Sequence, residues 1–390
     1  MKWMRPLPLL VAALAMIPAA AVRSSRRLRN SDIPKACGFK AYTEFRSSFR
    51  SQEIESLENT TAGEHRQALF ERRCQAALAQ NVKPGATWRA SVNHFADRTD
   101  AELRMHLGYK RTGFSRDRHG MPSVQSALSL ATPASTLSLP ESVDWRRGLK
   151  SAWNIRTQGS CGSCWAMASA GAVEMHAELA DGNKTFVSPA HLVQCVPNPQ
   201  HCGGTGGCDG ATAELAFQFI KQHGIRVERS FGSPLDQGPC EMAEGRRAMI
   251  RDFVQLPANR AEPLVQALAS HGPVVVGVDA SNWFNYGSGI YNSCRPDATV
   301  NHAVLAVGYA RDAYILRNSW GLSWGERGHM RLQRLGGSGD GHCGVDQYPQ
   351  EGNGCEDGPS EMPVCGMCGV LSDAAYPVGA HVVDEVVTSL

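Results

Sequence analysis

Aromatic residues at Phe39, Tyr42, Phe45 and Phe49 recur at helical spacing, and that period predicts a helix. A second helical pattern runs from Glu64 through Leu69, Phe70, Ala77 and Leu78. Residues 37 to 110 therefore read as a small helical unit. From Thr112 to Ser138 the chain is rich in Ser, Thr, Pro, Arg and Gly without periodicity, which suits a linker or an extended segment. Leu139-Pro140 opens a Gly-rich stretch with continuous apolar runs at Val274 to Val278 and Ala303 to Val307, which predict buried strands. Within it Trp165, Ala168, Ala172, Met175 and Leu179 step at helical intervals, and Gly182 offers a stop.

The start of the chain reads differently. Lys2 and Arg5 precede an apolar run from Leu7 to Ile17, and Ala19-Ala20-Ala21 follows it, so residues 1–21 are expected to be a signal peptide. No later apolar run reaches the length that spans a bilayer, and no stable membrane insertion is expected after its removal. The thirteen cysteines then fit an oxidising compartment and disulfides, lysosome-like, vacuolar or extracellular. Asn59 and Asn183 head glycosylation tripeptides consistent with that route.

The chain has 390 residues, 42% hydrophobic and 19% charged, which excludes a disordered or collagen-like polymer. Lys and Arg total 39 against 37 Asp and Glu, so this is no polybasic nucleic-acid binder. That balance hides an asymmetry: residues 22–138 are net basic and residues 139–390 net acidic.

The chemistry concentrates at Gln158-Gly159-Ser160-Cys161-Gly162-Ser163-Cys164-Trp165. Cys164 opens the helix predicted by Trp165 to Leu179, where unpaired amides and the helix dipole favour a thiolate. A thiolate nucleophile still needs a proton donor for the leaving group. His302, in Asn301-His302-Ala303-Val304, can serve, and Asn318, in Arg317-Asn318-Ser319-Trp320-Gly321, can fix the ring tautomer. Cys161-Gly-Ser-Cys164 also fits a thiol redox pair, and Cys365-Gly-Met-Cys368 fits half a zinc site that no nearby cluster completes.

These motifs, together with Asp144-Trp145-Arg146, Gly207-Cys208-Asp209-Gly210 and Gly272-Pro273-Val274, resemble the papain-like cysteine proteases of the cathepsin L type. The resemblance implies an α+β, two-lobed fold, one lobe helical and one a β-barrel, behind a mainly helical inhibitory proregion. It implies a signal peptide at 1–21, a propeptide at 22–138, a catalytic domain at 139–349 and a cysteine-containing extension at 350–390. The function implied is a cysteine endopeptidase made as an inactive zymogen, with a catalytically inactive papain-fold binding protein as the alternative. By the same resemblance Cys164 is the nucleophile, His302 the acid and base, Asn318 its orienting group and Trp320 the shield of their contact. Gln158 and the backbone N–H of Cys164 form the oxyanion hole.

The proregion carries Arg66, Phe70 and Asn81 at the spacing of the family's interrupted helical motif, and Asn93-x-Phe95-x-Asp97 matches its second motif. Ala62, Arg73 and Ala77 depart from it. After the helical unit the family's propeptide runs through the cleft in reverse, which the resemblance assigns to 112–138.

Family resemblance pairs Cys161 with Cys208, Cys195 with Cys240 and Cys294 with Cys343. Cys202, Cys355, Cys365 and Cys368 then remain for two more bridges of open connectivity, with Cys202 expected to tie the tail back. Cys37 and Cys74 can pair in the proregion. By family position Gly277, Val300 and Tyr348 line the pocket for the second substrate residue upstream of the cut, and Gly210-Ala211 bonds the substrate backbone. A neutral, apolar preference follows. The expected partners are polypeptide substrates and the chain's own propeptide. No cofactor, metal or nucleic acid is expected, and the enzyme should be a monomer.

Overall fold

The computed structural model describes residues 34, 36–50, 61–108, 139–229, 235, 238–242, 245–335 and 341–384. The signal segment 1–21, Asn59 and the stretch 112–138 lie outside the described residues.

Helices α1 (Phe39–Phe49) and α2 (Thr61–Val82) carry the aromatic stripe anticipated from its spacing. Phe70 packs 5.3 Å from the Tyr42 ring and 4.9 Å from that of Phe45, and a Cys37–Cys74 disulfide staples the pair. The polar face of α2 is equally specific. Arg66 forks onto both carboxylate oxygens of Glu102 at 3.2 and 2.8 Å, and Glu102 closes a capping box with Thr99 at the start of α3 (Asp100–Arg104). Arg73, one of the departures from the family motif, reaches the carbonyls of Phe95, Ala96 and Arg98. A long cation thus holds the turn beneath it.

Asn81 bonds both the N–H and the carbonyl of Ala90, in the strand Trp88–Ala90. That strand pairs antiparallel with Tyr286–Tyr291, so the proregion extends the sheet of the domain it covers.

The central sheet runs in the order Trp88–Ala90, Tyr286–Tyr291, His329–Gln333, Ala313–Arg317, His302–Tyr309, Val274–Val278, Ala374–Val378, Asp252–Gln255, with Val143–Asp144 on the far part of His302–Tyr309. The middle strands are buried on both faces, which explains their unbroken apolar runs.

Helix α4 (Cys164–Asp181) packs against His302–Tyr309 on one side and against α5 (Pro189–Cys195) and α6 (Ala213–His223) on the other. It is buried almost all round, hence its run of Ala, Gly and Ser. Gly171 is required because a methyl group there would meet the Arg317 guanidinium. One buried acid, Glu174, is matched by Arg156 at 2.6 and 3.0 Å and by the N–H of Val187 at 3.0 Å.

The chain after residue 349 contributes to this architecture directly. Ala374–Val378 sits between Val274–Val278 and Asp252–Gln255, antiparallel to both, and His381–Val383 pairs with Arg247–Met249. Before them, Cys343–Asp346 and Met362–Cys365 form a two-stranded hairpin.

This placement corrects one disulfide. Cys294 pairs with Cys368, whereas Cys343 pairs with Cys365 across the hairpin. The sequence holds two similar runs, Cys343-Gly344-Val345 leading to Tyr348-Pro349 and Cys368-Gly369-Val370 leading to Tyr376-Pro377. The Cys294–Cys343 expectation took the first, and the sheet uses the second. Cys161–Cys208, Cys195–Cys240 and Cys202–Cys355 complete the set, leaving Cys164 as the free thiol.

Candidate active site

Cys164 is the first residue of α4 and is fully buried. Its sulfur accepts from the N–H of Ala303 at 3.3 Å, which brings the helix terminus against the start of the strand His302–Tyr309. His302 lies beside that amide. Its Nε2 meets Asn318 Oδ1 at 2.8 Å, and its buried Nδ1 has no hydrogen-bond partner. With Nε2 held as the donor to an amide oxygen, Nδ1 is the nitrogen left to exchange a proton with the thiol. Burial pushes the His302 imidazole down to about 4, so in this state the ring is neutral.

Trp320 lies with its ring centroid 4.9 Å from that of His302, and it is itself covered by Phe284 at 4.7 Å and by proregion Phe95 at 5.3 Å. The His302–Asn318 contact therefore sits under a dry aromatic lid. Trp324 meets Trp320 edge to face at 5.1 Å and donates to Trp283 O at 3.0 Å, a core position.

Gln158 is buried and held at three points. Its N–H donates to Ser319 O at 2.9 Å, its Oε1 accepts from Ser319 Oγ at 2.6 Å, and its Nε2 donates to Cys161 O at 2.8 Å. That Nε2 also donates to proregion His106 O at 3.2 Å. A residue two positions later closes the site. Any side chain on Gly108 would stand on the sulfur of Cys164 and close to Gly162 O, and one on Gly210 would strike the carbonyls of Gly108 and Gly203. Backbone of the proregion thus passes directly over the thiol, between Gly162 and Gly210.

Sequence reasoning anticipated Cys164, His302, Asn318, Trp320 and Gln158, and the structure brings them together. It did not anticipate Ser319, His106 or Gly108, whose parts arise from backbone proximity that no motif encodes. Ala211, beside Gly210, is fully buried. At the pocket, Gly277 and Val300 do adjoin: a methyl group on Gly277 would stand 2.7 Å from Val300 Cγ1 and 3.2 Å from Asp373 Cβ. Tyr348 does not join them; it is 59% exposed, at the start of the turn Pro349–Glu351. Asp373 lies beside Gly277 instead, because the second Cys-Gly-Val run enters the sheet.

Among the described residues no cluster of His, Cys, Asp or Glu could hold a metal, and Cys365 and Cys368 are both consumed by disulfides. Cys161 is likewise bonded to Cys208, away from Cys164, which removes the redox-pair reading.

Comparison with known proteins agrees with this geometry. Residues 139–352 match the model of the papain family cysteine proteases. Cathepsin S of Rattus norvegicus is 32% identical over 295 residues, covering 73% of this chain and 84% of its own. Cysteine protease XCP2 of Arabidopsis thaliana is 34% identical over 280 residues, covering 69% and 75%. The structure of digestive procathepsin L 3 from Tenebrio molitor larval midgut superposes with a TM-score of 0.64 at 26% identity, covering 86% of this chain and 99% of its own.

The chain belongs to the papain family of cysteine proteases. It is a cysteine endopeptidase in zymogen form, with its propeptide as intramolecular inhibitor.

Proposed function

We propose that Cys164 attacks the scissile carbonyl carbon, forming an acyl-thioester, while His302 takes the thiol proton and returns it to the departing amine. Asn318 holds the ring so that Nδ1 faces the thiol. Gln158 Nε2 and the N–H of Cys164 receive the negative charge that develops on the carbonyl oxygen. Water then attacks the thioester, with His302 as base, and releases the acid. The observation that carries this reading is the convergence of one free thiol, an imidazole with one nitrogen fixed and the other unpartnered, and a rigid amide donor at a single point.

Gly210-Ala211 bonds the substrate backbone, and Gly277 with Val300 walls the pocket for the second residue upstream of the cut. Residues 1–21 direct the chain into the secretory pathway, towards a lysosome-like, vacuolar or extracellular destination. The solvent-exposed Asn183 is available there for a glycan. Residues 22–138 are removed by cutting between Thr112 and Ser138, and the mature enzyme, beginning near Leu139, acts as a monomer.

The test is labelling by an epoxide that alkylates papain-type thiolates. After proregion removal the wild type should be labelled at Cys164 and lose peptidase activity in proportion, and Cys164→Ser should take no label. Absence of labelling in the activated wild type would sink the reading.

A further inference from the structure

A strap of chain, residues 352–356, is tied to both walls of the cleft, and all of it but Gly352 lies beyond the stretch 139–352 that matches the family model. On the sheet side, any side chain on Gly352 would strike the carbonyl of Val300, and Asn353 Nδ2 donates to Asp373 Oδ2 at 2.8 Å. On the opposite side, Gly203 N donates to Gly354 O at 3.1 Å, Glu356 N donates to Gln200 O at 3.2 Å, and Cys355 is bridged to Cys202. His201 Nδ1 meets Glu356 Oε2 at 2.6 Å. Val300 leads into the strand His302–Tyr309, whereas residues 200–203 belong to the loop after α5. The strap therefore joins the wall that carries the imidazole to the wall that carries the helices.

Its place relative to Cys164 follows from Gly210. The proregion backbone runs from His106, on Gln158, to Gly108, over the thiol and beside Gly210. A side chain on Gly210 would strike the carbonyl of Gly203 as well as that of Gly108, so the strap's anchor stands next along this path, at the end away from Gln158. The two walls are close there, because Gly352 packs on one, Gly354 bonds the other, and three extended residues reach at most about 11 Å. The strap is also braced from within. Gly352 N and Gly354 N both donate to Pro349 O, at 3.0 and 2.8 Å, and Gln350 Nε2 donates to the carbonyls of Gly358 and Pro359 at 3.2 and 2.8 Å. Asp346, from the neighbouring hairpin, accepts from Thr299 Oγ1 at 3.0 Å and Val300 N at 3.4 Å and so fixes the wall on which Gly352 rests.

We propose that residues 352–356 end the substrate cleft after the second residue upstream of the cut. The inference rests on Gly277 and Val300 walling the pocket for that residue, since the strap adjoins Val300 directly. A neighbouring extended chain needs about 4.8 Å of lateral spacing, and a bar tied to both walls leaves no such lane past it. A longer substrate must therefore turn out of the cleft at its third upstream residue, and residues beyond the turn add no binding. Bonds that lie two residues from a free chain end, or in a loop that bends sharply just before the cut, lose nothing by this. Bonds within long extended segments are disfavoured.

The test uses the full-length protein after activation and acetylated peptides that share the two residues next to an aminomethylcoumarin reporter and carry no, one or two further alanines upstream. In the wild type, kcat/KM for the four-residue peptide should be no more than about twice that for the two-residue peptide, because the added residues find no surface to bind. Cys202→Ser with Cys355→Ser and Glu356→Gln cuts the strap's covalent and ionic ties to the loop after α5, and the same ratio should rise by about fivefold or more. Each protein is its own reference, so a partial loss of folding moves all peptides together and leaves the ratio readable. A strap that serves stability alone would lower the melting temperature without moving the ratio. A wild-type ratio above about twofold, or a ratio unchanged in the triple variant, overturns the proposal and leaves the role of Cys164 intact. The wild-type series needs no variant, so the proposal stays falsifiable where the triple variant does not fold. Wild-type protein inert towards every length would overturn the catalytic reading, and this proposal with it.

Discussion

The side-chain amide of Gln158 donates to the backbone carbonyl of His106 at 3.2 Å. In the mechanism proposed above, the zymogen thereby fills with its own peptide group the donor meant for a substrate carbonyl. Inhibition and catalysis draw on one hydrogen bond, so a substitution at Gln158 should affect both.

Gln158→Ala should lower kcat by the amount that one oxyanion donor supplies elsewhere, about 2.7 to 4 kcal/mol in barrier. The pH profile of Cys164 alkylation should stay in place, because Gln158 stabilises developing charge on the substrate and not the thiolate. Unchanged turnover would remove Gln158 from the mechanism.

Asn318→Ala should behave differently. It frees His302 Nε2 from its 2.8 Å partner, and the ring can then turn or adopt the other tautomer. The alkylation profile itself should shift, with less thiolate trapped in the acid range, alongside the loss in kcat. A profile identical to that of the wild type would show that Trp320 packing alone positions the ring.

The grouping of Cys164, His302 and Asn318 was legible in the sequence because each member sits in a short motif whose neighbours define its local structure: Cys164 before a helical period, His302 before an apolar strand, Asn318 before Ser319-Trp320. The two lobes followed from the same signals. What was not legible depended on choosing between equivalent patterns or on contacts far apart in sequence. Two Cys-Gly-Val runs compete for Cys294, and only the sheet distinguishes them: Ala374 and Ala375 can stand opposite Val276 and Val275, while the first run turns into a clipped hairpin. Tyr348, five residues past Cys343, goes with that hairpin and stands exposed. Arg73 shows the converse case, a departure from the family motif that the structure absorbs by reaching three carbonyls.

Gly108 should be indispensable to inhibition. Gly108→Val places a branched side chain against Cys164 and Gly162 O, both rigidly held, so the segment must lift from the thiol. The full-length variant should react with the epoxide at neutral pH, where the wild-type zymogen is protected, while Gly38→Ala, which meets nothing nearby, should not. Continued protection of Gly108→Val would mean that the proregion blocks the cleft by another route.

The Cys202–Cys355 bridge joins residues 153 apart in sequence. In the chain-entropy account a loop of that size restricts the unfolded chain by up to about 5 kcal/mol, less where other bridges already shorten it. Cys202→Ser with Cys355→Ser should lower the melting temperature of the Cys164→Ser zymogen by several degrees. The loss should be partial, because the His201–Glu356 pair at 2.6 Å and the Gly203–Gly354 hydrogen bond remain. An unchanged melting temperature would show that the strap is held without its disulfide.

Acid should release the proregion, and histidines should act before carboxylates. Net basic residues 22–138 facing net acidic residues 139–390 would attract each other through surface charge. Yet Arg50–Asp97, Arg66–Glu102 and Arg73–Asp100 all close within the proregion. Among the described residues its contacts with the catalytic domain include strand pairing, aromatic packing, the Gln158–His106 hydrogen bond and the imidazole of His94, whose Nδ1 meets Ser323 Oγ at 3.0 Å. Burial, with His106, Arg50 and Arg98 nearby, pushes His94 down to about 3. A base with a depressed value is neutral when docked and gains a proton once released, so docking is at full strength above its ordinary value near 6.5 and weakens as pH falls towards 3. His302, lowered to about 4 under the same cover, adds a loss of the same sign. Glu102, held near 2 against burial by Arg66, Thr99 and Arg98, works in a lower window, from its ordinary value of 4.5 down to about 2. Activation of the wild-type zymogen should therefore begin between about pH 6.5 and pH 5, and His94→Gln, which keeps a polar group for Ser323 without a titrating ring, should shift the onset to lower pH. The measurement is the pH at which half the zymogen is processed within a fixed time, repeated at high salt. Onset at the same pH in both proteins, falling away with salt, would return the switch to surface charge.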